Sequence, residues 1–351
     1  MHYQVAIAGS TKYSQQAAAA LAADSNFSVP YVITPTPRHI GRDQKLVNNP
    51  LHQWAEQEKL PSFLINKNLE EAIFTDFRQD KPEIDFLLVL DFGYFIPRWL
   101  LVLPKIAPVN IHPSLLPKWR GSSPGQFALL FQDFSQNYFA QQLGGKQSAV
   151  TLMLMNNLFD QGPIIQQLPF MIEDNWRQSE YYDYAFNLIC PRLADLLNNF
   201  AQGKIVSRKQ PLAASTPIAR RLNKEDSYVD WEFLQQLNNN QEKASIEQKK
   251  EAQNKLNDSP EAIFQNGPLL MNLLADPLIS SSLEAQKQLL VNAAKAFWPK
   301  PGLWTTIKTK KGQKRLKLLK LKLQDKDLVL EMVQVEGQQP ASFQQIKNLL
   351  I

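Results

Sequence analysis

The chain has 351 residues, about twice the usual domain length, so two domains are expected. Its formal net charge of +5 is mild, compatible with a polyanionic partner without requiring one. A single cysteine, Cys190, excludes an internal disulfide and points to a reducing cytoplasm. Its apolar surroundings mark it as a buried filler rather than a nucleophile.

Residues 1–9 lack the basic start of a signal peptide, and no apolar run approaches a membrane span, so neither export nor membrane insertion is expected. Residues 3–8 form a short β-rich run ending at Gly9, and Ser10 and Thr11 can cap a helix over 14–23. Further strands are predicted at 29–33, 62–65 and 85–90, the first stopped by Pro35-Thr36-Pro37. Helices are predicted between them at 52–59 and 69–78. The run 85–90 is nearly all apolar, as in a parallel strand covered on both faces. Strands alternating with helices predict an α/β layered fold. Gly9 stands without the rest of G-x-G-x-x-G, and no G-x-x-x-x-G-K-[ST] occurs. Neither a nicotinamide, a flavin nor a P-loop nucleotide is therefore expected.

A mostly apolar run from Ile106 ends in Asn110 and His112. In a strand these two share a face. They would sit at the C-terminal strand end, the edge where open α/β sheets bind ligands. Pro113 and Pro117 stop regular structure, and the loop 114–121 turns at Gly121. A helix is predicted at 124–131. Strands at 149–155 and 164–172 make a hairpin whose polar tip, 156–163, carries Asp160. A long helix at 179–200 should be interrupted by Pro191, and Gly203 ends it.

Residues 1–203 thus read as one domain, 204–221 as a linker, and 222–351 as a second domain. Residues 234–255, rich in Gln, Asn, Lys and Glu, read as a solvated helix or a disordered insertion. Short alternating runs at 304–307, 315–323 and 328–335, with turn signals at Lys311-Gly312 and Asp325-Lys326-Asp327, predict a small β-rich unit.

Asn110, His112 and Asp160 form the first chemical constellation. Histidine takes and returns protons near neutrality. An asparagine N–H can stabilise an oxyanion, and a carboxylate on a neighbouring loop can orient the imidazole. No serine or cysteine is paired with the histidine, so direct acyl transfer fits better than a covalent intermediate. On spacing alone, a structural histidine beside a turn asparagine is the commoner arrangement. The four histidines, His2, His39, His52 and His112, are too scattered to suggest a metal, and none is expected.

Asn110-Ile111-His112-Pro113-Ser114-Leu115-Leu116-Pro117-Lys118-Trp119-Arg120-Gly121 closely resembles the N-[VI]-H-x-S-L-L-P-[RK]-[WY]-R-G signature of the 10-formyltetrahydrofolate-dependent formyltransferases. Asp160-Gln161-Gly162 resembles their D-x-G element downstream of a V-T-x-M strand, here Val150-Thr151-Leu152-Met153. Other stretches resemble the members that formylate methionyl-tRNA. These are Gly41-Arg42 with Lys45-Leu46, Phe92-Gly93-Tyr94-Phe95-Ile96-Pro97, Leu222-Asn223-Lys224-Glu225-Asp226, Asp230-Trp231, and Ala296-Phe297-Trp298-Pro299-Lys300-Pro301-Gly302. The resemblance spans nearly the whole chain apart from an insertion at about 234–289.

It implies a Rossmann-like formyltransferase domain with a central, mostly parallel sheet, then a small β-rich, OB-like domain that binds tRNA. It implies formyl transfer from 10-formyltetrahydrofolate to the amino group of initiator methionyl-tRNA, without metal, by a cytoplasmic monomer. Asn110 and His112 would meet the oxyanion, and His112 with Asp160 would relay the proton. Ser114, Leu115, Leu116 and Pro117 would sit beside the folate. Phe92, Gly93, Tyr94 and Ile96, with residues 156–159, would wall its pterin. Departures are Asp43 for the second glycine of the basic loop, Thr36 for its aspartate, and Asp91 for a small residue. Pro113 and Pro163 follow relatives that act on other amines, while Lys295 keeps the usual charge before the Ala-Phe segment.

Residues 309–326 hold Lys310, Lys311, Lys314, Arg315, Lys317, Lys320, Lys322 and Lys326 against a single acid, Asp325. A regular strand would put Arg315 and Lys317 on one face and Lys320 and Lys322 on the other. A bulge near Leu318-Leu319 would bring all four together. Such a face can track phosphates, although a lysine-rich edge that discourages strand pairing is more frequent in general. Joined to the resemblance, contact with tRNA is the expected role, and Arg38, Arg42 and Lys45 form a second basic loop. Two other functions fit parts of the pattern. One is formylation of a small amine such as an amino-sugar nucleotide. The other is a catalytically idle RNA-binding protein, which would predict a broken trio.

Overall fold

The computed structural model describes residues 1–40, 44–66, 69, 83–134, 145–238, 264, 268–310 and 312–349. By contact they form two units. The first comprises Met1–Pro117, Ala149–Phe170 and Asp183–Ala213, and the second Lys118–Ser148, Met171–Tyr182 and Ala214–Ile351.

The first unit is built on an eight-stranded sheet. Its strands are β1 (Tyr3–Ala8), β2 (Phe27–Ser28), β3 (Val32–Pro35), β6 (Ser62–Ile65), β7 (Phe86–Val89), β8 (Ala107–His112), β9 (Gln147–Leu154) and β10 (Ile164–Met171). The order is β10-β9-β8-β7-β1-β3-β6, with β2 beside β1. Neighbours from β8 to β6 run parallel, and β9 is antiparallel to β8. The central strands are the most apolar: Val5 to Ala8 in β1 and Phe86 to Leu88 in β7 are fully buried. A two-stranded hairpin, β4 (Arg38–Ile40) with β5 (Lys45–Val47), projects after β3. The sequence reading did not anticipate it.

Local chemistry sets the ends. Helix Lys12–Ala22 starts at Thr11 in a capping box with Ser14. Ser14 Oγ accepts the N–H groups of Ser10 and Thr11 and donates to Leu90 O, which ties the β1 turn to the end of β7. A Cβ on Gly9 would lie 2.2 Å from Ser14 Oγ, so this turn requires glycine. Helix Pro50–Gln57 is capped by Asn49, with proline in its first turn. Of the strand expected over 29–33 only Val32 and Ile33 are strand, in β3; β2 ends at Ser28, and Pro30, which has no N–H for the ladder, lies between the two. Pro191 interrupts its helix as expected: Gln178–Ile189 gives way to a 3-10 turn, Cys190–Arg192, and then Leu193–Ala201. The helix expected over 69–78 lies, but for Leu69, outside the described residues.

In the second unit, helix Pro124–Leu130 packs on helix Leu283–Ala296, and Asn292 Nδ2 donates to Leu130 O at 3.2 Å. Trp119 stacks on Phe131 with ring centroids 5.3 Å apart, and Phe264 closes the cluster against Phe127 and Phe131. Four strands, β11 (Trp304–Thr309), β12 (Gly312–Gln324), β13 (Asp327–Val335) and β14 (Ala341–Ser342), form an antiparallel sheet in sequence order. The α/β layer and the small C-terminal β-sheet expected from the sequence are therefore both present.

The segment expected as an insertion at about 234–289 is described at 234–238, where helix Trp231–Asn238 buries Leu234 and Leu237, at the buried Phe264, and from residue 268 on. Helix Leu269–Ala275 buries Leu269, Leu270, Leu273 and Leu274, and helix Pro277–Ser280 follows. The start of helix Leu269–Ala275 is fixed electrostatically. Asp226, fully buried, receives Arg220 Nη1 and Nη2 at 2.8 and 2.6 Å and the N–H groups of Asn223 and Leu269 at 2.8 and 3.2 Å. Arg220 Nε donates to Phe264 O at 2.6 Å. Burial opposes ionisation of Asp226, but Arg220 and the two N–H groups outweigh it and hold the carboxyl below its ordinary range.

A depressed folded-state pKa contributes stability above the unfolded value, and that stability is lost as the pH falls through the folded one. Asp226→Asn, which removes the buried carboxylate charge facing Arg220, is expected to cost about 3–5 kcal/mol at neutral pH. The gap between wild type and variant in urea unfolding should shrink below about pH 4. An unchanged gap in acid would remove the pair from this role.

Candidate active site

β8 lies between β7 and β9, with Asn110 opposite Met153 in β9 and paired with Val89 in β7, and with His112 opposite Thr151. Both side chains belong to the C-terminal end of the strand. Asn110 Nδ2 donates to Val89 O at 3.0 Å, which fixes the amide plane and uses one of its two N–H bonds. Asn110 Oδ1 is buried without a hydrogen-bond partner. Such an atom costs about 1–3 kcal/mol, and a catalytic role is one reason proteins retain it. His112 is 5% exposed, and its Nδ1 lies 3.8 Å from Asp160 Oδ2. That is an ion-pair separation rather than a direct hydrogen bond. Asn110, His112 and Asp160 are thus gathered at one strand edge.

The chain between β9 and β10 holds Asp160 by close backbone packing. Leu154 N–H donates to Pro163 O at 2.8 Å. A Cβ at Gly162 would lie 1.8 Å from Leu154 O, so only glycine fits. Asp160 itself adopts a left-handed φ of 51°. Gln210, 8% exposed, clamps the loop by donating to Asp160 O at 2.9 Å and Gly162 O at 2.8 Å.

A second network fixes the loop after β8. Thr151 Oγ1 donates to Ser114 O at 2.7 Å. Gln167 Nε2 donates to Leu116 O at 2.9 Å and Thr151 Oγ1 at 3.2 Å, and Arg208 Nη2 donates to Gln167 Oε1 at 2.9 Å. The sequence reading missed Gln167, Arg208 and Gln210 as positioning residues. The one local signal was the polar pair Gln166-Gln167 inside an otherwise apolar strand.

The residues expected around a folate divide into lining and support. Phe92 and Tyr94 lie with ring centroids 5.2 Å apart and pack, half-buried, against the core that contains Ile96. Gly93 is exposed, and a Cβ there would meet nothing within 4 Å. Ser114, Leu116 and Pro117 are buried and Leu115 half-buried. Leu116 packs with Met153 and Ile164, so it supports the loop from beneath. Phe95, on the loop of Phe92 and Tyr94, and Leu158 and Phe159, between β9 and β10, are exposed apolar side chains. Asp91, with φ 49°, has its carboxyl raised by desolvation, while a hydrogen bond from Thr11 acts in the opposite direction. Burial also lowers the Lys118 ammonium below lysine's ordinary range.

Of the basic residues, Arg38 and Lys45 are exposed on the β4–β5 hairpin, and Arg38 Nη2 donates to the Tyr94 hydroxyl at 3.4 Å. Arg42 and Lys311 lie outside the described residues. Lys310 is exposed at the β11–β12 turn. The bulge anticipated near Leu318-Leu319 exists: the β12–β13 register skips Leu319 on one strand and Glu331 on the other. Leu316, Leu318 and Leu321 are buried, so Arg315, Lys317, Lys320 and Lys322 share the opposite face. No helix among the described residues is long and apolar enough to cross a membrane.

Gly162→Ala must push Leu154 or the acidic loop aside. It is expected to lower stability by about 1–3 kcal/mol, read as a fall in Tm. An unchanged Tm would show that the loop yields freely.

Residues 1–185 match the family model described as formyl transferase. The methionyl-tRNA formyltransferase of Ehrlichia chaffeensis is 33% identical over 195 residues, covering 54% of this chain and 59% of that protein. That of Ehrlichia ruminantium (strain Gardel) is 30% identical over 223 residues, covering 63% and 67%. The chain therefore spans 59 to 67% of the length of these two relatives. Among solved structures, the N-formyltransferase from Helicobacter canadensis, in complex with folinic acid and dTDP-3-aminofucose, aligns with a TM-score of 0.52 over 96% of both chains. At 17% identity that likeness is one of fold. Because the family match covers residues 1–185, more than half the chain, the protein belongs to the formyl transferase family.

Proposed function

We propose that the protein transfers a formyl group from 10-formyltetrahydrofolate to the amino group of initiator methionyl-tRNA, supporting the start of translation in the cytoplasm, as a monomer. The observation that carries this reading is a buried His112 beside Asn110, with Asp160 Oδ2 3.8 Å from its Nδ1. The donor supplies an activated formyl carbon. The chain's residues fit it: a buried, unpartnered Asn110 Oδ1 at the strand end, the Phe92–Tyr94 ring pair beside an exposed Gly93, and the fixed loop Ser114, Leu115, Leu116 and Pro117.

Each residue then has a defined task. The remaining N–H of Asn110 donates to the negative charge that develops on the formyl oxygen. His112 accepts the proton lost by the attacking amine and returns it to the departing nitrogen. Asp160 orients the imidazole and stabilises its protonated form. Burial of His112 keeps water away and strengthens each of these interactions.

The names of the similar proteins support methionyl-tRNA as acceptor, and so do the cations Arg315 and Lys317 on the basic face of β12. In this reading residues 1–203 are the catalytic domain, 204–221 the linker and 222–351 the tRNA-binding domain, with Arg38, Arg42 and Lys45 as a second contact. One observation favours a small amine such as an amino-sugar nucleotide instead. Pro163, the departure shared with relatives acting on other amines, shapes the acidic loop through its carbonyl.

The test is formyl transfer from 10-formyltetrahydrofolate to charged initiator tRNA, with amino-sugar nucleotides in parallel. Transfer to Met-tRNA is expected, and transfer to a sugar alone would overturn the acceptor. His112→Ala is expected to lower turnover by about 10²–10⁴-fold while tRNA affinity persists. Near-normal turnover would remove His112 from the relay.

A further inference from the structure

The basic face of β12 is divided. At one end, Lys320 Nζ lies 2.8 Å from Glu331 Oε2 and Lys322 Nζ lies 3.0 Å from Oε1. Glu331 is the residue bulged out of β13, and the bulge sets its carboxylate between the two lysines. One of their two positive charges is thereby balanced within the protein, and the carboxylate is shared between them.

The other end differs. Among the described residues, Arg315, Lys317 and Lys224 have no ion pair; Arg315 and Lys224 lie over the Trp304 ring, and Lys317 is its cross-strand neighbour. The Arg315 guanidinium lies 5.1 Å from the indole centroid and Lys224 Nζ 4.7 Å from it. Lys317 is the register partner of Trp304 between β12 and β11. The indole is fixed in turn, because its Nε1 donates to Lys224 O at 2.9 Å. Arg315 Nε is buried with no acceptor. Arg315 and Lys317, with Gln334, Val335, Glu336 and Gly337, line an open cavity of about 220 Å³. Glu336 brings a carboxylate there, already facing the Arg315 backbone N–H at 3.4 Å. Gln334 Nε2 donates to Gln338 O at 3.0 Å, which leaves its carbonyl as an acceptor.

We propose that Lys224 and Arg315, packed on Trp304, together with the neighbouring Lys317 beside this cavity, are the phosphodiester-binding subsite for RNA, and that Lys320 and Lys322 are held in reserve by Glu331. The proposal rests on the reading of the acceptor as tRNA. Its physical ground is counterion release. A lysine that neutralises a phosphate frees the cation condensed there, whereas a lysine already matched by a carboxylate must first give up that partner. Cations packed on an indole have also lost part of their rotamer freedom before binding. The acceptors of Glu336 and Gln334 beside the cations match the ribose 2′-hydroxyl, the donor that separates RNA from DNA.

The experiment measures affinity of the full chain for initiator Met-tRNA against salt concentration. Lys317→Gln and Lys224→Gln are each expected to weaken binding by about five- to tenfold and to reduce the slope of log K against log salt by about one. The Lys320→Gln, Lys322→Gln double variant should change affinity by less than about twofold. Glu331→Gln, which releases both lysines, should tighten binding and steepen the slope. Loss of affinity in the double variant equal to that of Lys317→Gln, or unchanged affinity in Glu331→Gln, overturns the subsite while leaving tRNA as acceptor. Wild-type protein that fails to bind Met-tRNA in any salt overturns both.

Discussion

The carbonyl oxygen of Leu154 stands where any side chain at position 162 would begin. This close approach lets the β9–β10 loop fold tightly enough to bring Asp160 to His112, and the geometry of the trio depends on it. Two further contacts keep the loop from relaxing: Gln210 holds the carbonyls of Asp160 and Gly162, and Leu154 N–H holds Pro163 O. Positions of catalytic groups tolerate little displacement, because orientation supplies much of the rate. In the proposed reaction the support of Asp160 therefore matters as much as its charge.

The same economy appears along β8. One N–H of Asn110 is tied to Val89, so the amide cannot rotate. The loop that follows is tied at Ser114 and Leu116 by Thr151 and Gln167. Donors held in place beforehand need no reorganisation when charge develops, and this is the source of electrostatic catalysis in a water-poor site. The orphan Oδ1 of Asn110 is the stability cost of that placement.

In the C-terminal sheet, paired bulges at Leu319 and Glu331 shift the alternation of β12 and then restore the register. One consequence is a single basic face over a leucine-lined core. The other is Glu331 among the lysines, which makes the face uneven in charge. A composition count of 309–326 treats every cation alike, whereas the fold separates Lys320 and Lys322, which share a carboxylate, from Arg315, which lies over Trp304.

How much was legible follows the range of each interaction. The α/β alternation, the interruption at Pro191, the polar end of β8 and the bulge in β12 are local patterns of polarity, and a strand or helix converts them directly into faces. The division of 27–35 by Pro30 was equally local but was masked by the apolar residues on either side. The helices after residue 268 hid behind a low-complexity approach, because their burial depends on Asp226 and on partners distant in sequence.

The sequence by itself determined the chemistry carried: an amide and an imidazole two residues apart, a carboxylate in a turn, and a lysine-rich strand. Tertiary structure alone decided that Asp160 meets His112, that Gln167, Arg208 and Gln210 fix the two loops, and that Glu331 claims two of the lysines. Side-chain type is a property of one position, but ion pairing and backbone clamping need donor and acceptor within about 3–4 Å, a condition that only the folded chain imposes.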